Sequence, residues 1–472
     1  MLFKIICIGI IKKMEVLMGI KKNEEYVIDI VDNGMEGEGI AKIDDFVIFV
    51  PGAIKEEKVK ILIVKVLKTH AYGKILEIIE KSPYRVEQDC ATYKRCGGCQ
   101  LRHLDYEETL NIKQRNVQNL VDKALKKGQI EVQKTIGMGN PYHYRNKAQY
   151  PVGMDKEGKV QIGVFAERTH EIIPMQKCFI QNEVAEKIAF AIYKFIKQKG
   201  IDPYNEKEQK GILRHIVIKV GMRTHEIMCI LVVNNKKIPY ESQLVDMLVK
   251  EYDVKTIVKN INDKNTNVIL GNNNTILHGD GYIYDILGDY TFKISPMSFY
   301  QVNPTQAEIL YNIAIEMANL NKEDILFDLY CGIGTIGIFA SSYVKKVYGI
   351  EIVEQAIKDA KENAKINKIE NIEFYAGDVE KVFSNLIEKK QIYPNVIIVD
   401  PPRKGLDENT IRNILAVQPK KVVYISCNPA TMVRDIKLLE EKYETDEIQS
   451  VDMFPFTSHV ECVSVLNLKK TV

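Results

Sequence analysis

The sequence predicts a multidomain protein with an N-terminal OB-like β-barrel, a mixed α+β central domain and a C-terminal α/β domain that is doubly wound and Rossmann-like. Three observations predict it. Short strand patterns separated by glycines come first, a set of cysteines spaced for a bound cluster follows, and strand and helix patterns then alternate to the end. The expected segments are 1–17 (a leader or start-site artefact), 18–82 (barrel), 83–290 (central domain) and 291–472 (α/β domain).

The first segment after the leader reads as a small β module. Its apolar runs are short and glycines mark the turns, which is typical of a barrel that binds oligonucleotides, although a purely structural cap would look the same. The strands we expect are Tyr26–Val31, Phe46–Val50, Val59–Leu67 and Tyr72–Ile79. The apolar leader is too short to span a bilayer, and Met14 or Met18 could be the true start.

The central segment opens with a cysteine pattern. Cys90, Cys96 and Cys99 fall within ten residues of one another, and Cys178 is the obvious fourth ligand. Two cysteines separated by two residues can bind one metal centre, and both zinc and an iron–sulfur cluster accept four thiolates. The spacing does not separate these two possibilities.

A glycine-rich turn opens the C-terminal domain. A strand pattern from Asp324 to Leu329 runs into Gly332 and Gly334, and a helix is expected from about Thr335. The glycines permit a tight turn and close approach of the backbone to a ligand. The next strand ends at Glu351, where an acid suits ribose hydroxyls, and the third leads to Asp378, which is placed for an adenine. NAD and S-adenosylmethionine both fit this pattern.

Two later strands each end in residues capable of chemistry. One ends at Asp400, which begins an Asp-Pro-Pro-Arg sequence, and the next ends at Ser426 and Cys427. Open α/β sheets place chemistry at such strand ends. With Glu461 near the C-terminus, the pattern favours covalent catalysis by a cysteine and a separate base, whereas a lone cysteine would more often be a buried hydrophobe.

Four motifs occur in a fixed order, and together they resemble the uracil-C5 RNA methyltransferases that act on 23S ribosomal RNA, the RumA/RlmD family. The motifs are Ser298-Phe-Tyr-Gln-Val-Asn-Pro304, Asp328-Leu-Tyr-Cys-Gly-Ile-Gly334, Asp400-Pro-Pro-Arg403 and Ser426-Cys-Asn-Pro429. The match is specific from about residue 290 onward. It implies S-adenosylmethionine as cofactor, a TRAM-type barrel and a [4Fe–4S] cluster on the four cysteines.

The resemblance also implies roles for single residues. Cys427 would be the nucleophile that adds to carbon 6 of uracil, and Glu461 the base that removes the carbon 5 proton. The residues expected at the cofactor are Gln301, Tyr330, Glu351, Asp400, Thr335 and Asp378. Asp400 and Arg403 could instead contact the uracil, and Gln301 could simply cap a helix.

Composition agrees with a soluble intracellular enzyme, and we expect a cytoplasmic monomer without a membrane segment. The net charge is only +2, but residues 83–150 hold 12 Lys/Arg against 7 Asp/Glu. That stretch includes Tyr142–Lys147, where rings lie beside cations in a way suited to RNA. The expected partner is 23S ribosomal RNA, or transfer RNA. Two other classes stay open: an NAD-dependent oxidoreductase, and a non-catalytic RNA-binding protein.

Overall fold

The computed structural model describes residues 19–126, 128–167, 169–175, 177–206, 208–234 and 237–470. The leader and both candidate start methionines lie outside the described residues. The chain divides into two compact units. The first contains the described residues up to Asp89 together with Gly98–Asn116 and Phe456–Ser458; the second contains Cys90–Gly97, Val117–Pro455 and the residues from His459 onward. The segment boundaries expected from the sequence stay predictions.

The first unit is built on a six-stranded sheet in the order β1-β5-β6-β4-β3-β2. The strands are β1 (Glu25–Asp29), β2 (Asp32–Asn33), β3 (Gly39–Ile43), β4 (Phe46–Val50), β5 (Lys58–Val66) and β6 (His70–Glu80). Alternate residues of β5 are buried, as a sheet with one covered face requires. The four strands expected from the sequence are present, β2 and β3 were missed, and closure into an OB-like barrel stays a prediction.

The second unit contains a sheet in the order β19-β18-β17-β20-β21-β24-β23-β7, with β22 paired to β24. Strands β17 to β21 pair in parallel, whereas β24 runs antiparallel to β21. The strands are β7 (Glu131–Ile136), β17 (Ile325–Leu329), β18 (Lys346–Glu351), β19 (Ile372–Ala376), β20 (Val396–Val399), β21 (Lys421–Ser426), β22 (Tyr443–Glu444), β23 (Glu447–Val451) and β24 (Glu461–Leu468). The sequence predicted the alternating strands and helices, but it did not predict that β7 would join them.

A second sheet of this unit has the order β10-β9-β8-β11-β12-β13-β14, and β15 pairs with β16 as a separate hairpin. The strands are β8 (Lys147–Met154), β9 (Val160–Phe165), β10 (Ile172–Pro174), β11 (Leu213–Val220), β12 (Ile227–Val233), β13 (Thr256–Ile261), β14 (Asn273–His278), β15 (Ile283–Leu287) and β16 (Tyr290–Ile294). Every residue of β11 and β12 is buried, so these two strands form the centre of that sheet's core.

Several helices begin at capping residues that the sequence supplies. Asn182, Asn303 and Asn428 each accept an amide hydrogen bond in the first turn of the helix that follows. The helices are α1 (Tyr106–Ala124), α2 (Glu183–Lys199), α3 (Glu241–Tyr252), α4 (Pro304–Ala318), α5 (Thr335–Ser341), α6 (Glu354–Ile366), α7 (Val379–Glu388), α8 (Glu408–Val417) and α9 (Pro429–Leu439). None of the helices among the described residues is long and apolar enough to cross a membrane.

Candidate active site

The order and direction of the strands bring Cys427 and Glu461 to the same place. Cys427 directly follows β21, and Glu461 is the first residue of the antiparallel strand β24. The register places Ser426 opposite Cys462, so Cys427 and Glu461 lie next to this pair at the same edge of the sheet. Asp400 follows β20, which is the other neighbour of β21. Residues far apart in sequence therefore meet at the carboxyl ends of the parallel strands.

Burial raises the pKa of all three groups, and nearby carboxyl groups add to this effect for Glu461 and Cys427. Burial, and to a smaller extent the neighbouring Asp400, raises the pKa of Glu461 to about 8. Burial also raises the pKa of Asp400 to about 7. The pKa of the Cys427 thiol is raised to about 11, first by burial and then by the two carboxyl groups. Perturbed titratable groups clustered at a sheet edge are typical of a catalytic site.

Arg403 supplies the opposing charge. Its positive charge lowers the pKa of both Cys427 and Glu461, against the effect of burial. Its backbone carbonyl accepts a hydrogen bond of 2.9 Å from Asn428 Nδ2, and its Nη2 lies 3.4 Å from His459 Nε2. The Arg403 side chain thus lies close enough to Cys427 and Glu461 to influence both groups.

The side chain of Asp435 fixes the loop that contains Arg403. This carboxylate is fully buried and accepts hydrogen bonds from the Tyr424 hydroxyl at 2.6 Å and from the Leu406 amide at 2.8 Å. A Cβ on Gly405 would lie 2.6 Å from the Asp435 carboxylate, so only glycine fits there. Buried hydrogen bonds of this kind hold a catalytic loop in one conformation.

The turn between β17 and α5 has the backbone expected of a ligand-binding loop. Tyr330, Gly332 and Gly334 all have positive φ, at 67°, 54° and 82°. A Cβ on Gly334 would lie 2.7 Å from Phe374 Cζ, whereas a Cβ on Gly332 would meet nothing within 4 Å. The tight turn therefore leaves open space at Gly332, where a ligand can approach the backbone.

Two carboxylates hold this turn in place. Asp328 is fully buried and accepts the Gly337 amide at 2.8 Å, and burial raises its pKa to about 8. Glu351, at the end of β18, accepts the amides of Gly332 at 3.2 Å and Val353 at 2.9 Å. Glu351 is thereby oriented at the mouth of the loop, where an acid suits the hydroxyls of a ribose. A nucleoside cofactor such as S-adenosylmethionine fits these residues.

The other expected cofactor residues surround the same loop. Thr335 is the first residue of α5, and the Tyr330 hydroxyl donates to Asp407 at 3.3 Å. Asp378 follows β19, where its exposed side chain caps α7 by accepting the Lys381 amide. All three lie beside the carboxyl ends of β17 and β19.

Hydrogen bonds from side chains of other elements fix the loop that contains Gln301. Its carbonyl accepts a hydrogen bond of 2.9 Å from Asn146 Nδ2. The buried ammonium group of Lys219 donates to the carbonyls of Ser295 at 2.9 Å and Ser298 at 3.0 Å in the same loop, and burial lowers its pKa to about 7. The helix that follows is capped by Asn303, so Gln301 does not serve as the cap.

Tyr311 is a residue of the site that the sequence analysis missed. It is buried in α4. Burial raises the pKa of its hydroxyl, the charge of Asp400 raises it further, and hydrogen bonding to Thr335 and Gln301 lowers it. The Tyr311 hydroxyl therefore connects Thr335 and Gln301 with Asp400. A tyrosine in a helical pattern usually belongs to the core, and no feature of the sequence distinguishes this one.

The four cysteines expected to bind the cluster are divided between the two units. Cys90, Cys96 and Cys178 belong to the second unit and Cys99 to the first. Burial raises the pKa of the Cys178 thiol, hydrogen bonds from the Ile180 and Gln181 amides lower it, and Cys90 is close enough to raise it. Among the described residues no group of three or more His, Cys, Asp or Glu side chains is placed to hold a metal ion. The ligand set stays a prediction.

The aromatic and basic segment at Tyr142–Lys147 is only partly a surface. Tyr142 is 42% exposed, but Tyr144 is 2% exposed and donates its hydroxyl hydrogen to the Pro455 carbonyl. Burial lowers the pKa of Lys147. The expectation that both rings could stack on RNA was therefore wrong for Tyr144, because that ring is part of the core.

Comparison with known proteins places the chain in a family. The tRNA (Uracil-5-)-methyltransferase family matches residues 105–470 and the TRAM domain matches residues 21–76. An uncharacterized RNA methyltransferase of Clostridium acetobutylicum is 47% identical over 96% of this chain and 99% of its own length. Another, from Halalkalibacterium halodurans, is 45% identical over 95% of this chain and 98% of its own length.

A solved structure extends the comparison to three dimensions. The Pyrococcus abyssi tRNA (uracil-54, C5)-methyltransferase in complex with S-adenosyl-L-homocysteine is 27% identical, with a TM-score of 0.75, and the match covers 93% of this chain and all of that one. The enzyme class expected from the sequence, an S-adenosylmethionine-dependent RNA (uracil-5-)-methyltransferase, is confirmed. The chain belongs to the tRNA (Uracil-5-)-methyltransferase family.

Proposed function

We propose that this enzyme methylates carbon 5 of a uracil in 23S ribosomal RNA through a covalent intermediate on Cys427, with Glu461 as the base. The observation that carries the proposal is the pairing of β21 with β24, which sets the thiol beside the buried carboxyl group. A nucleophile and a base within one site are what addition, methylation and elimination at uracil require. Because carbon 6 is hidden in a stacked helix, the target base would be flipped out or lie in a loop.

The first step is addition to carbon 6. Cys427 loses its proton to solvent, its sulfur forms a bond to carbon 6, and the electrons of the ring double bond move toward the carbonyl oxygen at carbon 4. Arg403 assists because its positive charge lowers the pKa of the thiol. A high thiol pKa in the ligand-free enzyme keeps the cysteine unreactive until the substrate is in place.

S-adenosylmethionine, when bound, would supply the electrophilic methyl group that carbon 5 takes up, and would leave as S-adenosyl-L-homocysteine. Glu461 then removes the proton from carbon 5, the sulfur–carbon 6 bond breaks, and the electrons restore the ring double bond and free Cys427. A carboxylate with a pKa raised to about 8 is a stronger base than an ordinary glutamate and remains partly ionised near neutral pH.

The cofactor would be held by the residues around the glycine turn. Glu351 would bind the ribose hydroxyls, Asp378 would contact the adenine, and Gln301, Tyr330, Thr335 and Asp400 would complete the site. The support for this assignment is their shared place at the carboxyl ends of β17 to β20, together with the open space at Gly332.

The proposal is tested by tritium release from RNA labelled at carbon 5 of uracil. The purified enzyme should release tritium only with S-adenosylmethionine, and Cys427→Ala should release none. Cys229→Ala is the matched control, because Cys229 is a cysteine of the other sheet in the same unit and has no proposed role. Release by Cys427→Ala at the wild-type rate would contradict the nucleophile assignment.

Transfer RNA is the second candidate substrate. It is favoured by the name of the matching family and by the activity named for the Pyrococcus abyssi relative. Assays with purified 23S ribosomal RNA and purified transfer RNA, each at the same uridine concentration, separate the two. Release from transfer RNA alone would replace our first choice.

We also propose that Cys90, Cys96, Cys99 and Cys178 bind a [4Fe–4S] cluster, and that the enzyme is a cytoplasmic monomer. The spacing and the donor chemistry support the cluster, as do the two backbone amides that point at the Cys178 sulfur. Anaerobic purification followed by iron and sulfide analysis tests it. Zinc in place of iron, or no metal at all, would contradict it.

A further inference from the structure

A cavity lies in the second unit on the sheet that contains β8 to β11, and it contains none of the residues proposed for catalysis. Its volume is about 640 Å³. Strands β8, β9, β10 and β11 and the segment from Pro203 to Glu206 line it. Cavities that hold a small organic group commonly have volumes in this range.

The walls of the cavity combine rings with one fixed cation. Phe165 is half-buried, and its ring centre lies 5.3 Å from that of His170 and 6.3 Å from that of His215. The guanidinium group of Arg214 stacks over the Tyr204 ring at 4.4 Å. Tyr204 and Arg214 are buried, so the rings open to a ligand are the partly exposed Phe165 and the exposed His170. Exposed aromatic rings are the surfaces on which unpaired nucleobases stack.

The polar groups of the cavity suit a neutral ligand better than a phosphate. Arg95 pairs with Glu171 at 2.8 Å, so that charge is already matched, and His170 Nδ1 lies 2.7 Å from Glu206 Oε2. Arg214 donates to the carbonyls of Asn262 and Lys264.

His215 adds a polar group without a fixed charge. It is 7% exposed, and burial lowers its pKa to about 4, so the ring is neutral at pH 7. Its Nδ1 has no hydrogen-bond partner among the described residues. The pairing register of β11 with β12 shifts between Leu213 and His215. The side chains there therefore depart from the regular alternation between the two faces of the sheet.

The cavity is linked to the proposed cofactor site through one strand. Asn146, directly before β8, binds the Gln301 carbonyl, and Pro151 of the same strand lines the cavity. Five residues of extended chain span roughly 17 Å. Strand β8 therefore connects the cavity with the loop that contains Gln301.

We infer that this cavity binds an unpaired nucleobase of the RNA substrate, stacked on Phe165, and that it contributes to the choice of substrate. The inference rests on the proposed function, because it requires RNA as the substrate. It assigns base recognition, rather than phosphate binding, to the sheet of β8 to β11.

The test compares Phe165→Ala with Phe165→Tyr, which keeps the ring, and with Tyr393→Ala, which removes an exposed ring elsewhere in the second unit. Binding of a fluorescein-labelled single-stranded polyuridine and methylation of 23S ribosomal RNA are both measured with the full chain. Phe165→Ala should bind about tenfold more weakly and raise KM by a similar factor at unchanged kcat, while the other two variants match wild type.

The salt dependence distinguishes the kind of contact. A lost base contact leaves the slope of log affinity against log salt unchanged, whereas a lost phosphate contact reduces it by about 0.7. Should Phe165→Ala fail to fold, His170→Ala replaces it, because that ring is at the exposed rim. Wild-type affinity and KM in the cavity variants, or an equal loss in Tyr393→Ala, would overturn the inference. Absence of methylation by wild type would instead refute the proposed function, and the inference with it.

Discussion

Replacing Glu461 by glutamine tests the electrostatics of the site most directly. The side chain is 3% exposed, and its pKa is raised from 4.5 to about 8. Unfolding returns the carboxyl group to water, so between these two pH values the folded chain binds more protons than the unfolded chain. Stability is therefore lost as pH rises through this window. At about 1.4 kcal/mol for each pH unit, the loss has an upper limit of about 5 kcal/mol.

Glutamine resembles the protonated acid and does not titrate, so Glu461→Gln should lack this contribution. The thermal unfolding temperature, measured by calorimetry near pH 4.5 and near pH 8, should fall less in the variant than in wild type. Glu388→Gln is the control, because that glutamate is exposed. The ionisation of Asp400 overlaps this window, so a measured difference below the upper limit is expected.

The same variant has a kinetic signature. Addition precedes proton removal, so Glu461→Gln should accumulate a covalent enzyme–RNA adduct, visible as a slower band on a denaturing gel. In wild type, the release rate should rise between pH 6 and pH 8 as Glu461 ionises. An unimpaired turnover rate in the variant, or an identical dependence of stability on pH in both proteins, would refute the reasoning.

The remaining predictions concern three other positions. Cys427→Ala should abolish tritium release while the dissociation constant for RNA, measured by filter binding, stays at the wild-type value; a loss of binding alone would count against the nucleophile role. Tyr311→Phe removes a hydroxyl that reaches Thr335 and Gln301, so calorimetric titration should find S-adenosylmethionine bound roughly fivefold more weakly, from about 1 kcal/mol. Gly334→Ala should lower the unfolding temperature more than Gly332→Ala. Both variants force alanine into a positive φ, but only the Cβ added at Gly334 also clashes with Phe374. Equal effects would contradict the steric argument.

Most of the candidate site could be placed from the sequence, because the strand patterns and the residues that end them agree with one another. Apolar runs that end in glycines, in Asp400 or in Cys427 predict parallel strands, and parallel strands expose their carboxyl ends at one edge. The structure has β17, β20 and β21 as adjacent strands in that order. The grouping of the glycine turn with Asp400 and Cys427 was thus predictable from motifs alone.

Glu461 and Tyr311 show what depended on tertiary structure. The motif suggested a role for Glu461, but only the antiparallel return of β24, with Ser426 opposite Cys462, places the carboxyl group beside the thiol. Tyr311 lies on a helix with no motif, and its role depends on side chains from other elements. Similarly, β7 joins β23 from more than 300 residues away, a pairing that no local pattern encodes.

The sequence by itself determined the chemistry available to this protein: a thiol, acids and a glycine turn, each at the end of an apolar strand. These are local properties, because the residues that form a strand and its turn are neighbours in the chain. Only the tertiary structure decided which of these groups meet and how their pKa values shift. Burial and the approach of Asp400 to Glu461 are long-range consequences of packing, and they have no counterpart in the order of the residues.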